Sequence, residues 1–219
     1  MSRQIQTMTE QIYNAIRADI FAQRIHFGEK LTTRGLQERL GVSSTPIREA
    51  LARLEKDGLV ILRPNAGMQV VSYTEKDVYD IYTLMTELDT AALRLACGAG
   101  QMASLTQELA ELQAEAAQCL LRQETDRWEE LSDEFHLIFY RYADNSRLSD
   151  AANKTRSQLT VFSQAYQAQE INQQEIQRQH DIIVHCLEQG DQHAAEEALR
   201  RHFAASMEKA LASLSVMQA

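Results

Sequence analysis

Only two prolines occur in this 219-residue chain, Pro46 and Pro64, so the 155 residues after Pro64 contain none. Proline removes a backbone donor and breaks a helix interior, and its absence leaves long helices uninterrupted. The same stretch is rich in Ala, Gln, Glu and Leu, all good helix formers. Its punctuation is sparse: Gly98 and Gly100, Thr125, Asp144-Asn145-Ser146, Asn172 and Gly190-Asp191. Thr74-Glu75-Lys76-Asp77 resembles a capping box, with Asp in place of the usual Glu or Gln. It opens a predicted helix running to about Cys97, with further helices near 103–122, 125–143, 147–168, 172–188 and 191–216. The rear of the chain is therefore predicted to be all-α. Val78, Ile81, Leu84, Met85, Leu88, Ala92 and Leu95 form a broad apolar stripe on its first helix, which faces either its own core, the favoured reading, or a partner chain.

The front third follows another pattern. A helix near residues 6–23 carries Met8, Ile12, Ala15, Ile16 and Ile20 on one face. The segment RIHFGEK reads as a loop, and a short helix near 33–40 turns Leu36 and Leu40 inward. Residues 41–58, GVSSTPIREALARLEKDG, then read as a turn and a second helix. Ser43, Ser44 and Thr45 can cap it, and Pro46 suits its first turn. Ile47, Ala50, Leu51 and Leu54 make one apolar stripe, while Arg48, Arg53 and Lys56 lie opposite. Gly58 is placed to stop the helix as a left-handed cap. Leu59–Leu62 and Met68–Val71 are short apolar runs around the turn residues Pro64-Asn65-Ala66-Gly67. Three helices and a hairpin make a winged helix-turn-helix, and a helix with a hydroxyl-rich start and outward basic residues suits a DNA major groove. The boundary falls at Ser72–Thr74, giving a DNA-binding domain over 1–73 and a helical domain over 74–219.

Composition narrows the remaining classes. No apolar run approaches the ~18 residues of a membrane span, and MSRQIQTMTEQ lacks an apolar signal core, so a cytoplasmic location is expected. Cys97, Cys119 and Cys186 are scattered through helical patterns and read as thiols in a reducing compartment. The net charge of −9 is divided unevenly. Residues 1–74 hold ten Lys/Arg against seven Asp/Glu, and residues 75–219 hold twelve against twenty-four. Only the front module is suited to approach phosphates, and the acidic rear is repelled from them.

The front module resembles the GntR family of bacterial transcription factors. The segments FGEKL, LQERLGVSSTPIREALARLEKDGLV and the NAG wing carry the likeness. The rear is similar to the all-helical FCD domain of the FadR subgroup through IYTLMTELDTAALRLA, FHLIFYRYADN and QHDIIVHCLEQGDQHAAEEALRRHF. The resemblance implies base and phosphate contacts from Arg34, Thr45 and Arg48, with minor-groove approach by the wing around Asn65 and Gly67. Arg48, one turn into the helix, is within reach of a guanine edge. Thr45 can bond a phosphate beside the free N–H groups of the helix start. The competing reading pairs Arg48 with Glu49 or Glu55 on a solvated surface. Family members often carry Arg where this chain has Ser44, so its operator is expected to differ there. A single winged helix buries little surface, and a homodimer on palindromic double-stranded DNA is expected.

His136, His180 and His202 each lie on a predicted rear helix among apolar neighbours. In many FCD domains three histidines and an aspartate converge on a divalent metal. The aspartate usually stands four residues before the first histidine, where this chain has Ser132; Asp133 stands three before. Both spacings neighbour the histidine on a helix, so Asp133 is the candidate fourth ligand. Imidazoles favour zinc or nickel, and an added oxygen also allows manganese. Met85 stands where these domains often carry Arg, and Asp89 where Glu is usual. Arg156, or Arg94 turned inward, could replace that arginine toward an organic-acid effector, although surface placement is expected for both. His185 and His193 are expected to face solvent. The overall expectation is a DNA-binding regulator, more often a repressor, controlled by a carboxylate effector. Its rivals are a metal-dependent enzyme using the histidine cluster, for which no nucleophile motif, phosphate loop or HExxH spacing is present, and a helical protein-interaction module.

Overall fold

The computed structural model describes residues 7–64 and 67–217. Its front part holds three helices and a small sheet: α1 (Met8–Phe21), β1 (Lys30–Leu31), α2 (Thr33–Leu40), α3 (Ser44–Lys56), β2 (Val60–Arg63) and β3 (Gly67–Val70). Thr7 and Thr32 start α1 and α2 by accepting hydrogen bonds from the Glu10 and Gly35 amides. Gly41 ends α2 in the left-handed conformation, which reverses the chain into α3. Ile47, Ala50, Leu51 and Leu54 are buried as their spacing predicts.

The sheet differs from expectation in one respect. Lys30 and Leu31, read as the end of a loop, pair antiparallel with Gln69 and Met68. The strand order is β1-β3-β2, with β2 also antiparallel to β3. Two residues are too few to display an alternating pattern, so β1 left no signal of its own. Leu59, expected in the strand, instead bonds its amide to the Leu54 carbonyl at 2.9 Å and closes α3. Asn65 and Ala66 lie outside the described residues.

Six helices follow: α4 (Glu75–Gly98), α5 (Met102–Arg122), α6 (Thr125–Ala143), α7 (Ser146–Gln167), α8 (Glu170–Glu188) and α9 (Gln192–Met217). The Thr74–Asp77 capping box is fully formed. The α4 stripe divides. Val78, Ile81, Met85 and Ala92 are buried, whereas Leu84 and Leu95 remain exposed on the other flank. α4 packs against α6, α7 and α9, and α5 against α6 and α8.

The buried apolar residues of both parts form one connected cluster. Tyr73, between β3 and α4, joins them. Its ring meets Phe27 and Phe162 edge to face at 5.5 and 5.0 Å. Among the described residues, no helix is long and apolar enough to cross a membrane.

Candidate functional site

Two surfaces carry the chemistry: the outer face of α3 and a cavity inside the helical bundle. Ser43 takes the N-cap position of α3 in extended geometry, but no side chain caps the helix by a hydrogen bond. Its first-turn amides therefore lack the usual side-chain acceptor, which makes them suitable for an anion. Thr45 and Arg48 are exposed beside them, and Ser44 is half-buried. Glu49 accepts a 2.7 Å hydrogen bond from Thr9 Oγ1. Arg34 Nε donates to Glu38 Oε1 at 3.0 Å with both side chains in solvent, an ion pair that costs little to exchange for a phosphate. Gly67 opens β3 at φ +86°, a conformation that disfavours other residues. Arg53 does not continue the outer basic face. Its guanidinium lies 4.0 Å from the centre of the Tyr13 ring, and Tyr13 donates its hydroxyl to Asp57 at 2.7 Å. Burial, reinforced by Asp57, pushes the Tyr13 phenol up to about 12.

In the bundle, His136 from α6, His180 from α8 and His202 from α9 converge. One ligand atom from each lies within 4.8 Å of the others, and all three residues are buried. Their surroundings decide which nitrogens are free. His136 Nδ1 sits 2.7 Å from Asp89 Oδ2, and His202 Nδ1 sits 2.8 Å from Gln179 Oε1. Both partners are acceptors, so each Nδ1 donates and each Nε2 keeps its lone pair. His180 Nε2 is buried with no hydrogen-bond partner. The His180 ring stacks on Phe135 with centroids 4.0 Å apart, which fixes its plane. Burial, with His202 and His136 nearby, holds His180 well below the usual histidine range. Burial and His136 bring His202 down to about 3. Neutral imidazoles with free lone pairs are what a divalent metal requires.

A second layer orients these rings. Asp89, fully buried on α4, accepts hydrogen bonds from His136, from Tyr140 Oη at 2.7 Å and from an Arg156 terminal nitrogen at 2.7 Å. Burial alone raises a carboxyl, but Arg156, His136 and Tyr140 outweigh it and hold Asp89 below the usual range. Behind His202, Gln179 donates to Glu175 at 3.1 Å, and Lys209 donates to the same carboxylate at 2.9 Å. Beside the histidines is a cavity of about 20 Å³, lined by Tyr82, Ser132, Asp133, Arg156, Ser163, Tyr166, Gln167 and Ser206 among others. That is space for about one water or ion, with hydroxyls and one cation on its walls.

Several sequence expectations need correction. Asp133 lines the cavity but does not belong to the group of ligand atoms within 4.8 Å. The carboxylate that holds a histidine is Asp89, through hydrogen bonding rather than as a member of that group. Met85 is a fully buried core residue and does not line the cavity. Arg156 is not at the surface: its side chain retains 14% exposure and points to Asp89. Arg94 stays outside, paired with Glu196. His185 and His193 face solvent as expected. Tyr140 and Gln179 were missed. Tyr140 stands four residues after His136 and so shares its helix face; Gln179 directly precedes His180 and offered no comparable signal.

Two known protein families match the chain. The family described as "Bacterial regulatory proteins, gntR family" matches residues 8–70, and the FCD domain family matches residues 80–205. The transcriptional repressor RspR of Escherichia coli is 28% identical over 202 residues, covering 90% of this chain and 86% of that protein. A probable D-xylose utilization operon repressor of Paenarthrobacter nicotinovorans is 29% identical over 201 residues, covering 91% and 87%. The structure of E. coli McbR/YncC superposes with a TM-score of 0.68 at 22% identity, covering 98% of this chain and 100% of that one. A putative GntR regulator from Rhodococcus sp. RHA1 gives 0.71 at 17% identity, covering 94% and 99%. With a winged helix-turn-helix in front and an FCD bundle behind, this chain belongs to the GntR family and is a DNA-binding transcriptional regulator.

Proposed function

We propose that this regulator is a repressor whose hold on its operator is set by a small carboxylate bound beside a divalent metal in the bundle. The observation that carries this reading is the buried, unpartnered His180 Nε2, facing two histidines whose Nδ1 atoms are already engaged. A charge-free nitrogen left unbonded in a core is costly, and a metal ion removes that cost. His136, His180 and His202 are the ligands, with zinc, nickel or manganese as the metal. When bound, the metal supplies a Lewis-acid anchor for an effector oxygen. Arg156 offers the effector a cation, and Ser132, Ser163 and Ser206 offer hydroxyls. The small cavity implies that side chains move to admit anything larger than a water. Arg156 is the natural one to move, because an effector carboxylate competes with Asp89 for it.

On the DNA side, Arg34, Thr45, Arg48 and the wing at Gly67 and Asn65 contact a palindromic operator, and Ser44 gives it a half-site unlike that read by an arginine. Two copies are needed for two half-sites. The exposed leucines on α4, Leu84 and Leu95, supply apolar surface for a homodimer. The protein acts in the bacterial cytoplasm, as the named regulators among its relatives support. Effector binding favours one bundle packing and so changes the spacing of the two winged helices.

Elemental analysis of protein purified without chelator and offered zinc, nickel and manganese tests the metal. We expect about one ion per chain, lost in His180→Ala while the fold persists. Less than about a tenth of an ion per chain would end this reading. Gel shifts against a panel of short organic and sugar acids test the effector, with a change in operator affinity of about 5- to 150-fold expected for the cognate acid.

A further inference from the structure

A second, larger concavity lies where the winged helix meets the bundle. It is an open groove of about 900 Å³, walled by α1 and α3 on one side and α6 and α7 on the other. That volume is typical of small-molecule sites. Arg17, Arg53 and Lys56 line it from the DNA-binding domain, and Lys154 and Arg156 from the bundle. Three carboxylates are present too, but Asp57 already accepts the Tyr13 hydroxyl and Asp150 is exposed to solvent. The third, Asp133, stands with Arg156 between this groove and the histidine cavity, since both residues line each space.

Arg17 is the informative residue. Its guanidinium lies 4.8 Å from the centre of the Phe21 ring, and its Nε is buried without a hydrogen-bond partner. A charged donor withheld from water calls for an acceptor. The Asp133 carboxyl is near enough to feel the Arg17 charge but leaves Nε unbonded, while Arg53 is engaged by the Tyr13 ring and Arg156 by Asp89. The groove begins near Arg53, eight residues and about 12 Å along α3 from Thr45. It is therefore remote from the end of α3 that meets DNA.

We propose that this groove is a second ligand site for a small multivalent anion, a polycarboxylate or a phosphorylated metabolite, held between Arg17 on α1 and Lys154 on α7. Cations on both walls need an occupant with separated negative groups, and a monovalent acid reaches only one wall. Such an anion ties the DNA-binding domain to the bundle and fixes the setting of α3. The proposal does not depend on the metal reading, because its residues are not the histidines.

The test is calorimetric titration of the full-length protein at constant ionic strength. The probes are tricarballylate, a tricarboxylate, and fructose 1,6-bisphosphate, which carries two separated phosphates, with monovalent acetate as the control. At least one multivalent probe is expected to bind at least about tenfold more tightly than acetate, and the tighter of the two identifies the anion class. Arg17→Gln and Lys154→Gln each weaken it about tenfold, whereas His180→Ala leaves it unchanged. Lys154 is exposed, so Lys154→Gln keeps the test open if Arg17→Gln does not fold. Multivalent probes that bind no better than acetate would overturn the proposal. So would binding that survives Lys154→Gln, or binding abolished by His180→Ala, which would locate the anion in the histidine cavity.

Discussion

Asp89 shows how much one side chain can organise. It has no exposed surface and joins α4 to α6 through His136 and Tyr140, and to α7 through Arg156. Asp89→Asn keeps the shape but removes the carboxylate that is hydrogen-bonded to Arg156. We expect a loss of about 3 kcal/mol in denaturant unfolding of the metal-free protein, and metal affinity about 10- to 100-fold weaker. Glu129 gives a pH-dependent prediction. Burial, with Asp126 and Asp133 nearby, raises it to about 7 from an ordinary value of 4.5. The folded chain then keeps a proton that the unfolded chain releases, so this contribution to stability falls as pH rises from about 4.5 to about 7. Glu129→Gln should stabilise the protein at pH 8 by about 1 kcal/mol, allowing for partial solvent screening, and have little effect at pH 4. Equal shifts of the melting temperature at both pH values would contradict this. None of Asp89's role was legible in the sequence, because its partners lie 47, 51 and 67 positions away. The three histidines were legible one by one, as polar residues on apolar faces. Their convergence came only with the resemblance, since periodicity places a residue on a face and not opposite another helix.

Among the elements, α3 was the most readable. Its start, apolar stripe and glycine stop are contiguous, so local rules suffice. β1 was unreadable because its pairing with β3 is its only definition. α7 is the element with the widest reach. Arg156, Ser163 and Gln167 line the histidine cavity, while Gln158 and Phe162, on its opposite flank, touch the DNA-binding domain. Gln158 donates to the Gly58 carbonyl at 3.3 Å, and Phe162 meets Tyr73. Gly58 is glycine because its φ is +73°; an added Cβ would also come within 2.8 Å of the Gln158 and Lys154 side-chain ends, which can swing aside. Gly58→Ala should therefore cost more than about 1 kcal/mol by thermal unfolding. A double-mutant cycle of Tyr73→Leu and Phe162→Leu should return a coupling of about 0.5–1.5 kcal/mol. Additivity of the two changes would mean that α7 and the linker are not energetically joined.

At the scale of the molecule, charge and architecture agree. The helical part carries the excess of acid and the winged helix the excess of base, so the protein approaches DNA with one end forward. The two-part organisation was legible in the proline distribution and in the change of pattern near Thr74. The groove between the parts was not, because it is built from residues of four helices. The claim on which the account rests is that α3 reads duplex sequence. The direct measurement is binding of a duplex selected from a random pool, followed by fluorescence anisotropy over a range of salt, for the natural protein and for Thr45→Ala and Arg48→Ala. The account predicts a selected palindrome and a steep log–log salt slope, with Thr45→Ala weakening binding by about 0.5–1.5 kcal/mol on every sequence and leaving the slope unchanged, because a neutral hydroxyl releases no counterion. It also predicts that Arg48→Ala loses about 1–3 kcal/mol and relaxes selection at one position of each half-site. Selection and affinity unchanged in both folded variants would contradict it.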